Sequence, residues 1–262
     1  MVAMDMEAAR AWLTGYLCSV DARVGRPGAV CPFVAPALRA GTLRLEQWPV
    51  NAQIGVAGLV SLVRDMVAVF ESAQWVSRNR TLHALVVVLD GLPTDRLGVT
   101  DEAHRQVKPE LVAKGLMLGQ FHAQCEERAA RNPSFRVSRS PVPMLALRHM
   151  AVHDVLFLDG DSTSFTAYDQ RYGGRYDRGS VPDPLFVEHF ARARARFGAD
   201  TARNAAEAGA KAVRHKAALM SAHEPPTSAR SSDERRLHGL DRPLAQMTLP
   251  VSRYRTDSRG GM

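Results

Sequence analysis

The chain has 262 residues, 45% of them hydrophobic and 23% charged, a balance that excludes the disordered and fibrous classes and leaves room for one sizeable core. Its longest apolar run is about six residues around Leu85–Leu89, against the ~20 needed to cross a bilayer. With no basic-then-apolar leader at the start, a cytoplasmic protein with no membrane association is expected. The net charge is +7, but residues 1–190 carry 20 basic and 20 acidic side chains while residues 191–262 carry 14 and 7, so the whole excess lies in the C-terminal segment.

Asp5 to about Asp21 has apolar residues at helical spacing, including Trp12, Leu13 and Tyr16. Arg23 to Gly41 holds three prolines and three glycines and reads as a loop that could line a site. Leu43–Val50 reads as a short strand and Ile54–Trp75 as a long helix. His83–Asp90 is the clearest strand, β-branched and bounded by Gly91 and Pro93, and should be central. Asp101–Lys114 reads as a helix with Thr100 as its N-cap and Gly115 past its end, with Pro109 placed to break it. Residues 115–122 read as a strand whose two glycines allow close approach. A long polar loop follows to Pro143, then a strand over Met144–Met150 and a short helix over Val152–Leu158. Gly160–Pro184 is rich in Gly, Asp, Tyr and Ser and reads as an extended connection. Pro184–Ala222 reads as one or two alanine-rich helices, broken near Gly198. From Glu224 the composition turns to Pro, Ser, Arg and Gly, which points to disorder.

Helices and strands interleave without a regular βαβ rhythm, so the expected class is α+β, with helices on a small mixed sheet. The expected organisation is a globular domain over 1–190, a helical extension over 191–223 and a disordered basic tail over 224–262. That basic segment interleaves acids and alanines with its arginines and offers only Tyr254 for stacking, so a solvated helix and tail is preferred to nucleic-acid binding. Cys18, Cys31 and Cys125 are odd in number and far apart, indicating reduced thiols and no CxxC zinc site.

GxGxxG, Walker, HExxH and GxSxG patterns are absent, which argues against dinucleotide, P-loop, zincin and hydrolase chemistry. The remaining candidates gather after the 115–122 strand. His122, at a strand end, could bind a metal or heme, act as a base, or be bonded within its own loop. Cys125 could join it, but two ligands are incomplete for zinc. Cys31, fixed before Pro32, could ligate heme iron or pack as a small apolar side chain. His149, His153 and Asp154 would form a metal triad if their segment were helical, and would not if Met144–Met150 is a strand. Arg136, Arg139 and Arg148 could each clamp a carboxylate. Arg148 is the best placed, because a charge in an apolar stretch requires a partner. Phe121, Asn132, Phe135 and Arg136 are the expected pocket residues, although Asn132-Pro133 is also a turn signal and Phe135 also suits a core.

The segments Cys31-Pro32-Phe33-Val34, Gly115-Leu116-Met117-Leu118-Gly119-Gln120-Phe121-His122, Asn132-Pro133-Ser134-Phe135-Arg136 and Arg139-Ser140-Pro141-Val142-Pro143-Met144 through Met150 resemble an uncharacterised bacterial domain family often seen in actinobacteria, over roughly residues 12–195. That family brings no activity with it. A shorter stretch is similar to heme-dependent arginine N-oxygenases of natural-product pathways, which place a histidine and proline after an apolar strand. Here Ala123 stands in the proline's place. This resemblance implies a heme-dependent oxygenase, an oxidoreductase of specialised metabolism acting on a small amino-acid-like or nitrogenous substrate. His122 would be its iron ligand, and Arg148 would pair with a propionate or a substrate carboxylate. The alternative is a non-enzymatic small-ligand-binding or accessory protein. Either leaves a homodimer open.

Overall fold

A computed structural model describes residues 2–198, all within one compact unit. The expected helical extension and disordered tail beyond residue 198 lie outside the described residues. The amphipathic N-terminal stretch is helical as its spacing requires, as α1 (Val2–Ala11) continued by a wider turn over Trp12–Leu17. The Pro/Gly-rich stretch that follows is not all loop: it contains α2 (Val34–Arg39). Pro36 falls in the first turn of α2, where no intrahelical donor is needed. Next come β1 (Leu43–Pro49), α3 (Val56–Ser72), β2 (Ala84–Asp90) and α4 (Gly98–Lys114).

The N-cap and the break expected in α4 are corrected. Thr100 is buried inside the helix, its hydroxyl donating to the Leu97 carbonyl at 2.7 Å. The helix passes through Pro109 because both Pro109 and Arg105 are exposed, so water can satisfy the Arg105 carbonyl that proline leaves without a donor. Gly115 ends α4 at φ +75, a left-handed cap that admits glycine at little cost.

β3 (Leu116–Phe121) leads into a segment that holds a small hairpin, β4 (Arg128–Ala129) with β5 (Asn132–Arg136). β6 (Met144–His149) precedes α5 (Val155–Leu158). The segment expected to be extended over Gly160–Pro184 is instead mostly α6 (Ser162–Asp177). Asp161 starts it by accepting from the Ser164 amide at 2.7 Å. A further helix, α7, spans 184–198 of the described residues.

The main sheet has the order β1-β2-β6-β3, with β1 and β2 parallel and the other pairs antiparallel. The class is α+β with a mixed sheet, as the sequence indicates. β2 is interior, and its run Leu85–Leu89 is buried throughout. Alternation sends Leu85, Val87, Leu89, Leu118, Leu145 and Leu147 to one face, against α3 and α4. Val86, Val88, Met144 and Ala146 face the other way, toward α1, the turn after it and the segment around Val24–Val34. A third cluster joins α4, α5 and α6 to Phe190, Ala193 and Phe197, so the packed body runs past residue 190. Gly25, at φ +81, lies so close to the hairpin that a Cβ there would sit 2.9 Å from the Arg131 carbonyl oxygen. The loop and the hairpin therefore form one wall over the second face.

Candidate functional site

That second face is not fully covered. A cavity of about 760 Å³ opens over it, within the size range of small-molecule sites. Its body is apolar, with Trp12, Leu17, Met117, Phe121 and Ala146 among its walls, while Arg26, Arg148 and His153 bring polar groups to one region.

The polar group is built by the turn after β6. Arg148 is on the cavity face of β6, opposite Ala84 of β2. Its Nη1 and Nη2 donate to the two carboxylate oxygens of Asp154 at 2.8 and 2.6 Å. Asp154 is 0% exposed and also accepts from the Ala151 amide at 2.7 Å. The Arg148 guanidinium holds the Asp154 carboxyl below its usual range against the opposing effect of burial. The phenols of α6 secure the same turn: Tyr172 donates to the Met150 carbonyl at 2.5 Å and Tyr168 to that of Val152. Phe33 packs on both polar residues, 4.8 Å from the His153 ring centroid and 5.2 Å below the Arg148 guanidinium.

His153 lies 3.3 Å from Asp154, yet burial, with Arg148 and Arg26 adding to it, pushes its imidazole down to about 4. It is a neutral ring at neutral pH. Arg148 uses a third donor on the His149 carbonyl at 2.9 Å, which leaves one Nη2 hydrogen and Nε–H with no acceptor among the described residues. Among the described residues, Arg26 bonds backbone carbonyls alone, those of Pro27 at 3.1 Å and Val30 at 2.9 Å, so its charge has no acidic partner there. Arg131, on the same wall, is neutralised by Asp183 at 2.5 Å. This end of the cavity therefore has spare donors and an uncompensated positive charge.

The residues chosen from sequence divide around this site. Arg148, Cys31 and Phe121 line the cavity, and the expected need of Arg148 for a partner is met by Asp154. Asn132, Phe135 and Arg136 are not on its walls. Asn132 clasps its own turn, donating to the Arg23 carbonyl at 2.7 Å and accepting from Ser134. Phe135 packs on the core under the Arg23 guanidinium, 4.5 Å away. Arg136 and Arg139 both grip Glu126, each at 2.5 Å. Because β6 is a strand, as expected, His149 points away from His153, toward Phe70 and His83, and the triad that a helical segment would have allowed does not form.

His122 is also off the cavity wall. It is 1% exposed, with Nε2 against the Asp101 carboxylate at 3.1 and 3.2 Å and a buried Nδ1 that has no partner among the described residues. Asp101, His122 and Cys125 bring potential ligand atoms within 4.8 Å of one another, and burial drives the Cys125 thiol up to about 11 in the absence of a metal. The residues present do not fit His122 as the axial ligand of a heme. One nitrogen is held by a carboxylate and the other is enclosed, with neither on the large cavity. Sequence reasoning passed over Arg26 and Trp12 as site residues, and only the spatial return of the loop to β6 brings Arg26 there.

The model of the family described as Domain of unknown function (DUF6875) matches residues 6–181. The chain belongs to this family. No curated protein and no solved structure matches the chain. The matched span of the DUF6875 domain contains the whole main sheet and the Arg148–Asp154 pair. Only the wall supplied by Asp183 and Phe186 lies beyond it.

Proposed function

We propose that the protein binds a small molecule with an apolar body and one anionic head, its body on the open face of the sheet and its head at Arg26 and Arg148. The observation that carries this reading is the pairing of an apolar cavity of about 760 Å³ with an Arg148 guanidinium that retains unused N–H donors beside Arg26. Asp154 fixes the guanidinium in place, so little side-chain entropy remains to be lost on binding. Neutral His153 adds a ring nitrogen able to donate or accept. A carboxylate satisfies the spare donors and the unpaired charge together.

The test uses medium-chain carboxylates and the alcohols of equal length, read by the change in tryptophan fluorescence, to which Trp12 on the cavity wall contributes beside Trp48 and Trp75, and by thermal stability. Carboxylates should shift both, with stabilisation approaching about 2.7 kcal/mol at a hundredfold excess over Kd. Arg26→Gln should erase the preference over the alcohol, and Ala146→Phe should block both. Equal responses to acid and alcohol, or none to either, would refute the reading.

The enzymatic reading, a heme-dependent oxygenase, requires an iron ligand on the cavity; His122 is not on its walls, and Cys31 and His153 are the residues there that could serve. An absorption spectrum of protein produced with ample iron and heme precursor decides it. The expected result is no Soret band. A band present in the parent and lost in His122→Ala would reinstate the oxygenase.

A further inference from the structure

We propose that Cys18 and Cys31 form a reversible disulfide at the base of the loop that walls the cavity, through exchange with a low-molecular-weight disulfide. This inference does not depend on the identity of the ligand.

The loop between the two cysteines folds back on itself. Val20 and Ala29 form an antiparallel bridge. The Val30 amide donates to the Ser19 carbonyl at 2.8 Å, and the Cys31 amide donates to the Leu17 carbonyl at 2.9 Å. These two bonds, from consecutive amides to the carbonyls of the residues on either side of Cys18, lay Cys31 against the Cys18 backbone. The Cys31 amide thus bonds the carbonyl of the residue immediately before Cys18, which sets the two cysteine backbones side by side, the approach that a disulfide, spanning ~4.4–6.8 Å between Cα atoms, requires. Burial raises the Cys18 thiol and the neighbouring Cys31 sulfur adds to the rise, while Arg39 opposes it.

Both thiols are free and half-buried, whereas Cys125 is fully enclosed. An incoming disulfide can reach the first two and not the third. The step balances without a metal. One cysteine thiolate attacks the small disulfide, forming a mixed disulfide and expelling one thiolate. The second cysteine thiolate attacks the protein sulfur of that mixed disulfide and expels the other. Two cysteine thiols are oxidised, one disulfide is reduced to two thiols, and the cysteine protons end on those thiols.

The closed loop contains Val24, Arg26 and Val30, all on the cavity wall. Oxidation would pin that wall, and Arg26 with it, in the arrangement described here.

The full-length protein, incubated with oxidised glutathione and then denatured, should titrate as one free thiol of its three. A tryptic digest should join the peptide holding Cys18 to that holding Cys31, and a reducing agent should separate them. Thermal stability should rise on oxidation in the parent and not in Cys18→Ser. A stable glutathione adduct without the cross-link, three thiols remaining, or a link involving Cys125 would each overturn the proposal. The digest of the unaltered protein is decisive even if a serine variant fails to fold.

Discussion

Replacing Asp154 by alanine removes the acceptor for two Arg148 donors at 2.8 and 2.6 Å and for the Ala151 amide at 2.7 Å. The guanidinium then keeps its place among apolar neighbours without a counter-charge. Breaking a buried pair from one side costs about 3–5 kcal/mol, and an abandoned buried amide adds about 1 kcal/mol or more. A loss of about 4 kcal/mol is a large part of the ~5–15 kcal/mol that holds an ordinary domain together, and at this chain length it corresponds to a fall in Tm of about 12 °C. Urea unfolding followed by far-UV circular dichroism should show a lower midpoint with an unchanged slope. The double variant Arg148→Met/Asp154→Leu should recover much of the loss, because it leaves no unpaired charge. An Asp154→Ala protein within about 1 kcal/mol of the parent, or a double variant losing the full sum of the singles, would show that the pair does not organise this turn.

Two further outcomes follow from the same chemistry. His149 and His153 are each pushed down to about 4 by burial, whereas an unfolded chain protonates them near ~6.5. Between those values the unfolded state binds more protons, so stability is complete above about pH 6.5 and falls as pH drops toward 4. A pH series of urea midpoints checks this, and a flat profile from pH 7 to 5 would contradict it. Gly115→Ala should cost about 1–2 kcal/mol, because φ is +75 and the new Cβ would lie 2.5 Å from Arg171 Nε. Thermal unfolding at constant pH measures it, and no change in Tm would count against the cap.

The sheet was readable because its strands are short apolar segments bounded by turn residues, β2 most plainly as a run buried throughout its centre. The Pro/Gly-rich start hid α2, since composition does not distinguish a proline in a first helical turn from one in a loop. Gly173, Gly174 and five tyrosine or aspartate positions hid α6, whose stability comes from packing Phe165 and Tyr168 against α7 rather than from intrinsic preference. The site was only half legible. Arg148 announced itself as a charge in an apolar strand, but its partner and the wall bearing Arg26 are supplied by chain reversals that leave no local signature. His122 attracted attention for its position at a strand end, where its environment proves to be a single carboxylate on α4.

The strand order has a consequence for how the molecule is made. β6 comes last in sequence among the sheet strands, yet it lies between β2 and β3. Until residue 144 leaves the ribosome, β2 can pair only with β1, and β3 has no partner in the sheet at all. Two apolar edges therefore wait for one late strand, a long-range closure of the kind that slows folding and leaves a nascent chain prone to self-association. That strand also carries Arg148. The last strand to arrive thus completes the sheet and sets the guanidinium at the head of the cavity, so chains halted before β6 have neither a closed sheet nor a binding site.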